Sequence, residues 1–186
     1  MTIMVLGIFI AVLTFCLELY FKEFVIQHFH SIADQMVDKN GVEPGNIEKF
    51  YSIGYHNSLI GLIIILVGFI PIYGFPVIYG LISFTAVGVV AGYGYIMDYD
   101  VIKTMMIAFV PHAIIEIIPI LYSMAVGMYI NKNIIKRLYL KKNNTSKLGT
   151  MCKKGMKSYL LIVVPLFLLA ALVESFITTF LIDRYL

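Results

Sequence analysis

Charged residues are scarce in this chain. Asp, Glu, Lys and Arg make up 13% of the 186 residues, and 60% of the residues are hydrophobic. Soluble domains carry about 25% charged residues, so the composition excludes soluble globular folds and nucleic-acid-binding modules. Cysteine is scarce as well, and Cys16 and Cys152 stand in segments expected on different sides of a membrane. A disulfide between them is not expected, which excludes a disulfide-stapled secreted domain.

Long apolar runs stand where charge is missing. A helix of about 20 apolar residues crosses the ~30 Å hydrocarbon layer, and five runs approach or reach this length. We therefore predict an all-α fold: one polytopic transmembrane domain over residues 1–186. The predicted spans lie at about 2–21, 51–72, 77–97, 104–130 and 158–182. No Lys or Arg precedes Lys22 and no small-residue cleavage site follows the first run, so we expect a retained span there.

The polar segment after the first span carries an apolar stripe at helical spacing. The stripe consists of Phe21, Phe24, Val25, Phe29, Ile32 and Met36. This pattern predicts an amphipathic helix that lies at the membrane interface as far as about Val37.

Small residues are concentrated in the third predicted span. Gly88 and Gly92 form a GxxxG pair there, which lets a second helix approach closely. The pattern predicts helix packing at this point.

The positive residues are distributed unevenly. Nine of the fourteen lie in segment 131–157, which contains no acidic residue, whereas segment 22–50 has three positive and five acidic residues. The positive-inside rule places the basic loop 131–157 in the cytoplasm of a cell-membrane protein. Counting back over five spans, we expect a cytoplasmic N-terminus, an external segment 22–50 and an external C-terminus. The lysines are expected to contact anionic lipid rather than nucleic acid.

A few ionisable residues lie within the predicted spans. They are Glu18, His56, His112, Glu116 and Glu174. A charged group at mid-span costs ~2.5–3.5 kcal/mol on insertion scales, so such residues are functional candidates by default. His112 and Glu174 each lie about 12 Å from the same membrane face at 1.5 Å per residue. Glu116 lies one turn beyond His112 on the same helical side, so we predict that these three share one site.

The His112-x-x-x-Glu116 spacing allows both side chains to bind one metal ion. Glu174 is the candidate third ligand and His56 the candidate fourth, with water as the alternative to His56. Nitrogen and carboxylate ligands with an open position are typical of catalytic zinc, and Glu116, His112 and Glu174 are the candidate catalytic residues. The alternative is a structural hydrogen-bond network among the same groups. Pro111 and Pro119 flank the pair and free backbone carbonyls, which predicts a polar pocket or a plain kink.

Two motifs give the chain a family resemblance. They are Pro-His-x-x-x-Glu at 111–116 and Ala-Leu-Val-Glu-Ser-Phe-Ile-Thr at 171–178, and His56-Asn57 opens a span that contains Gly61 and Gly68. Together they resemble the stage II sporulation protein M (SpoIIM) family, although Ala113 stands where members usually have Gly. Members also carry Asn residues where His56-Asn57 stand, so the resemblance does not support His56 as a ligand.

The resemblance implies a small multispan protein. The name-giving members help to assemble peptidoglycan-degrading proteins at the septal membrane during sporulation. Other relatives accompany circular bacteriocin genes and are assigned to immunity, export or maturation.

Three functions stay open at this point. The first is a scaffold or accessory subunit for membrane or secreted proteins or peptides, because no nucleotide motif or strong catalytic signature is present. The second is an intramembrane zinc peptidase built on His112, Glu116 and Glu174. The third is an ion or proton-coupled transporter, for which the expected inverted repeats are missing. A second copy of the chain is also a candidate partner.

Overall fold

The computed structural model describes residues 2–23, 26, 45–139 and 148–185. Within these ranges the chain forms five long helices and no strand. Each helix is long and apolar enough to cross a membrane, so the predicted five-span all-α architecture is confirmed. The helices are α1 (Thr2–Tyr20), α2 (Asn46–Phe69), α3 (Phe75–Ile96), α4 (Val101–Leu138) and α5 (Leu148–Tyr185).

The basic segment 131–157 was expected to be a loop, but it is helical at both ends. Helix α4 continues to Leu138, and α5 already begins at Leu148. Ile134 and Met151 are buried against the core in these extensions, so an apolar helix face continues beyond the apolar run itself. Lysines occupy the exposed face beside it. The predicted interfacial helix after α1 falls largely outside the described residues.

The core lies between α2, α4 and α5, which pack against one another, while α3 packs on α4. Its fully buried apolar side chains include Ile64, Met124, Val163 and Phe167. A Cβ added at Gly61 would lie 2.7 Å from the Phe167 ring. The aromatic ring therefore fills the space that this glycine leaves between α2 and α5.

Helix α1 is attached to the bundle mainly through α3. A Cβ added at Gly88 would overlap the backbone oxygen of Ala11, and one added at Gly92 would lie 2.7 Å from Glu18 Oε2. The GxxxG pair thus sits at a close helix crossing, as its spacing predicts. Among the described residues of α1, Gly7 is the one that is buried, and the apolar side chains of Val5, Phe9 and Leu13 are exposed.

A short irregular segment joins α2 to α3 at the end of the bundle that carries the basic residues, which we name the basic end. The side chain of Asn131 on α4 is completely buried beside it. Asn131 Nδ2 donates hydrogen bonds to the carbonyl oxygens of Ile70 (2.7 Å) and Ile72 (3.1 Å), and its Oδ1 accepts one from Gly74 N–H (3.3 Å). The same two carbonyl oxygens also accept backbone hydrogen bonds from the N–H groups of Ile72 (2.8 Å) and Phe75 (3.3 Å). The asparagine side chain therefore adds hydrogen bonds that tie this connection to α4.

Candidate functional site

An open recess of about 400 Å³ lies at the end of the bundle opposite the basic end. Helices α2, α4 and α5 form its walls. Its lining residues are Ser52, Ile53, His56, Asn57, His112, Glu116 and Glu174. The structure therefore brings His112, Glu116, Glu174 and His56 to one place, and their functional roles stay a prediction.

His112 and Glu174 face each other across the recess. His112 Nε2 lies 4.0 Å from Glu174 Oε2, and the two side chains are 9% and 32% exposed. Glu116 lies one turn further along α4 and is half-buried. It lines the same recess as Glu174, so the two carboxylates would repel each other if both were ionised. A cation or a shared proton would relieve this repulsion.

Irregular turns lie in two of the three helices that form the walls, α4 and α5. A π turn over Met105–Phe109 precedes Pro111, whose ring nitrogen carries no hydrogen to donate. The Phe109 ring meets the imidazole of His112 edge-on, with 5.3 Å between the ring centroids. Glu174 itself lies in a second π turn, Val173–Thr178. Such turns are frequent at functional sites, and here they aim side chains from α4 and α5 into one recess.

The site groups are not joined into a hydrogen-bond network. His112 Nδ1 is buried with no partner within the described part of the chain. No side-chain hydrogen bond links His112, Glu116 and Glu174 there, and the 4.0 Å contact is too long to be one. A structural network would satisfy these groups, because unpaired buried polar atoms are costly. The described residues therefore leave these groups open to a ligand or to a bridging water.

The donor set suits a divalent cation. Two atoms bound tetrahedrally to one zinc ion at ~2.0–2.2 Å lie about 3.3 Å apart, and the His112–Glu174 separation exceeds this by less than ~1 Å. In the ranges that the structure describes, no three His, Cys, Asp or Glu side chains are already close enough together to hold an ion. Side-chain movements would thus be needed to close the site around a metal.

The other ionisable candidates occupy different positions. His56 is exposed, beside the buried Asn57. Glu18 does not line the recess: it packs against Gly92 at the α1–α3 crossing, with Oε2 buried and unpaired among the described residues. Four of the five ionisable candidates therefore line the recess, and the fifth, Glu18, lies apart from it.

Two residues with a role in the structure, Ser52 in the recess and Asn131 at the basic end, were not predicted from the sequence. Ser52 lines the recess one helical turn before His56, and that spacing from the site residue was the signal that could have found it. The structural role of Asn131 left no such signal, because its partners are backbone groups of the α2–α3 connection.

The fold and the recess define a polytopic helical membrane protein with a His and Glu site within its spans. The chain belongs to the SpoIIM family: the family model described as Stage II sporulation protein M matches residues 1–179 of the 186. No curated protein and no solved structure matches the chain significantly.

Proposed function

We propose that this SpoIIM-family protein is an intramembrane metal-dependent hydrolase that cleaves amide bonds in membrane or secreted peptides. The observation that carries the proposal is the buried imidazole of His112, 4.0 Å from the Glu174 carboxylate on the wall of an open recess. Glu116 adds a second carboxylate to the same recess. Imidazole and carboxylate groups with an open coordination position are ligand types of catalytic zinc sites.

Each site residue has a role in this proposal. His112 and Glu174 hold the ion, and Glu116 is either its third ligand or the proton acceptor. Zinc in this position supplies Lewis acidity, which lets water attack a carbonyl near neutral pH. A carboxylate at the reacting atoms takes the proton of that water and delivers it to the leaving amine. Ser52 and Asn57 offer hydrogen bonds to the substrate, and His56 lines the open side.

Substitution of Glu116 tests the proposal directly. Glu116→Gln keeps the side-chain volume but removes a ligand or a proton acceptor. We expect peptide cleavage to fall by at least ~10²-fold, the usual contribution of general acid–base catalysis, with an unchanged melting temperature. His112→Ala is expected to remove bound zinc, measured by elemental analysis of the full chain purified in detergent.

Glu18→Gln is the matched control. It changes another carboxylate within a span, at the α1–α3 crossing outside the recess. Zinc content and cleavage should stay at the wild-type level in this variant. Wild-type protein without stoichiometric metal, together with no cleavage of any co-expressed membrane or secreted peptide, would contradict the proposal.

The second candidate is an accessory subunit or scaffold for partner proteins, in cell-envelope remodelling or in bacteriocin export, immunity or maturation. The packing of α1 favours it, because that helix is held mainly by α3 and leaves most of its apolar surface outward. Such a surface suits contacts with the spans of another membrane protein. A scaffold would keep its cellular role in Glu116→Gln and lose it when the outward face of α1 is changed, for example by Phe9→Ala with Leu13→Ala.

A further inference from the structure

A second cavity adjoins the recess. It is a cleft of about 390 Å³ between α1, α3 and α4, and the residues that line it are Met4, Ile8, Ala11, Val12, Phe84, Val87, Phe109, Val110, Ala113, Ile114 and Ile117. All of these side chains are apolar. Ile8 and Ile114 are more than half exposed, so the cleft opens sideways, where the hydrocarbon of a membrane would lie.

The cleft leads to Glu116. A smaller cavity of about 90 Å³ shares Phe84, Val87 and Ala113 with the cleft, and Glu116 is among its lining residues. Glu116 also lines the polar recess. Glu116 therefore lines both the polar recess and the small cavity that shares residues with the apolar cleft.

The size and lining of the cleft restrict what fits there. One helical turn, ~10 Å across and 5.4 Å high, fills roughly 400 Å³, so the cleft is too small to enclose a transmembrane helix. An extended peptide would leave its backbone amides without partners among purely apolar side chains, at a cost of several kcal/mol for each group. A hydrocarbon chain has no such groups, and the cleft is therefore suited to an acyl chain.

The recess restricts the polar part of the same ligand. Its ionisable lining residues are two carboxylates and two imidazoles, and none of the described residues that line it is Lys or Arg. The described lining residues thus offer no Lys or Arg side chain to pair with a phosphate, which disfavours a phospholipid head. Ser52 and Asn57 supply the hydroxyl and amide groups that pair with a peptide backbone.

We propose that the substrate is an N-acylated peptide, with its acyl chain in the cleft, its peptide in the recess and the joining amide beside Glu116. The inference rests on the proposed hydrolase. Water breaks the C–N bond of the joining amide: the acyl carbon gains the hydroxyl, and the amine nitrogen gains the proton. The products are a fatty acid and a peptide with a free N-terminus.

The test uses the full chain in lipid nanodiscs and two probe peptides of one sequence. One peptide is palmitoylated on its N-terminal amine, and the other carries the same chain on a C-terminal lysine, so both partition into the membrane. We expect palmitate release from the first peptide alone. Release from both peptides at equal rates would overturn the assignment of an N-terminally acylated peptide as the substrate.

Two variants of α3 test the cleft itself. Val87 lines the cleft, whereas Val90 on the same helix is 42% exposed and lines none of the cavities described above. Val87→Phe should lower kcat/KM for the acylated peptide at least ~10-fold, which corresponds to a loss of ~1.4 kcal/mol. Val90→Phe adds the same volume outside the cleft and should have no effect. Equal activities of the two variants would show that the cleft holds no substrate.

Binding of the uncleaved probe separates this inference from the hydrolase. In Glu116→Gln, a photoreactive palmitoyl chain should crosslink to cleft residues, and Val87→Phe should abolish the crosslink. Crosslinking without palmitate release by the wild type would reject the hydrolase and keep the acyl-chain site. Equal cleavage of the same peptide without an acyl chain would keep the hydrolase and reject the acylated substrate, and crosslinking of a phospholipid probe in its place would reject it as well.

Discussion

Within the described residues, a buried polar side chain is hydrogen-bonded at the basic end, whereas one in the recess is not. At the basic end, Asn131 is completely buried, and its amide pairs with two carbonyl oxygens and one N–H group of the α2–α3 connection. In the recess, His112 is 7% exposed and its Nδ1 has no partner among the described residues. The Asn131 amide is satisfied by the backbone beside it, whereas the His112 nitrogen is available to a ligand.

The largest effect on the free energy of unfolding is expected for substitution of Asn131. Asn131→Leu keeps the branched side-chain shape but removes the hydrogen bonds of the Asn131 amide to the carbonyls of Ile70 and Ile72 and to the N–H of Gly74. We expect a loss of about 2–4 kcal/mol in the free energy of unfolding, because each of these hydrogen bonds contributes ~0.5–1.5 kcal/mol. Denaturation of the detergent-solubilised chain measures it.

Asn133→Leu is the control for Asn131. Asn133 lies two residues further along α4, and its Nδ2 donates only to the Tyr129 carbonyl on its own helix. We expect a change within about ±0.5 kcal/mol, as for ordinary surface substitutions. Equal losses in both variants would mean that the α2–α3 connection does not depend on Asn131.

A smaller effect is expected at Gly74, which belongs to the same connection. Its backbone has a φ of +84°, and a Cβ added there would meet nothing within 4 Å. Gly74→Ala therefore tests backbone strain alone, and we expect a loss of about 1–2 kcal/mol. Gly45→Ala is the control, because Gly45 also has open space around it but a φ of −64°. A neutral Gly74→Ala would indicate that the connection relaxes without its left-handed residue.

The smallest loss of stability is expected at His112. His112→Leu replaces an unpaired buried imidazole with an apolar side chain, so the unfolding free energy of the metal-free protein should stay unchanged or rise by up to ~1 kcal/mol. Measurement with and without a chelator separates the loss of metal from the loss of packing. A loss as large as that of Asn131→Leu in the chelated protein would make His112 a structural residue and remove the contrast between the two regions.

The sequence predicts the recess better than the basic end for a physical reason. Ionisable residues within apolar spans are conspicuous, and helix rise converts the positions of His112 and Glu174 into similar depths. Asn131 is a neutral residue beside a basic segment, and it gains its role only when an irregular backbone from two other helices arrives next to it. The depth of a residue in the membrane does not determine its position within the plane of the membrane. Glu18 therefore lies at the α1–α3 crossing, although its depth is compatible with a place near the recess.

The helical extensions at the basic end were missed for a related reason. Lysines beyond an apolar run resemble a loop by composition, but Ile134 and Met151 continue the buried helix face through that region. Hydropathy averages over all sides of a helix. The one side that contacts the core decides how far the helix continues.

The π turn at Val173–Thr178 acts on the angular phase of α5. Each residue in an α-helix advances the side-chain direction by about 100°, and a π turn accommodates one extra residue without breaking the helix. Deleting one residue between Glu174 and the preceding core residue Ala171 would therefore swing the carboxylate a quarter-turn or more around the helix axis. The depth of the Glu174 carboxylate in the membrane would hardly change. His112 and Glu174 would nevertheless no longer face each other across the recess.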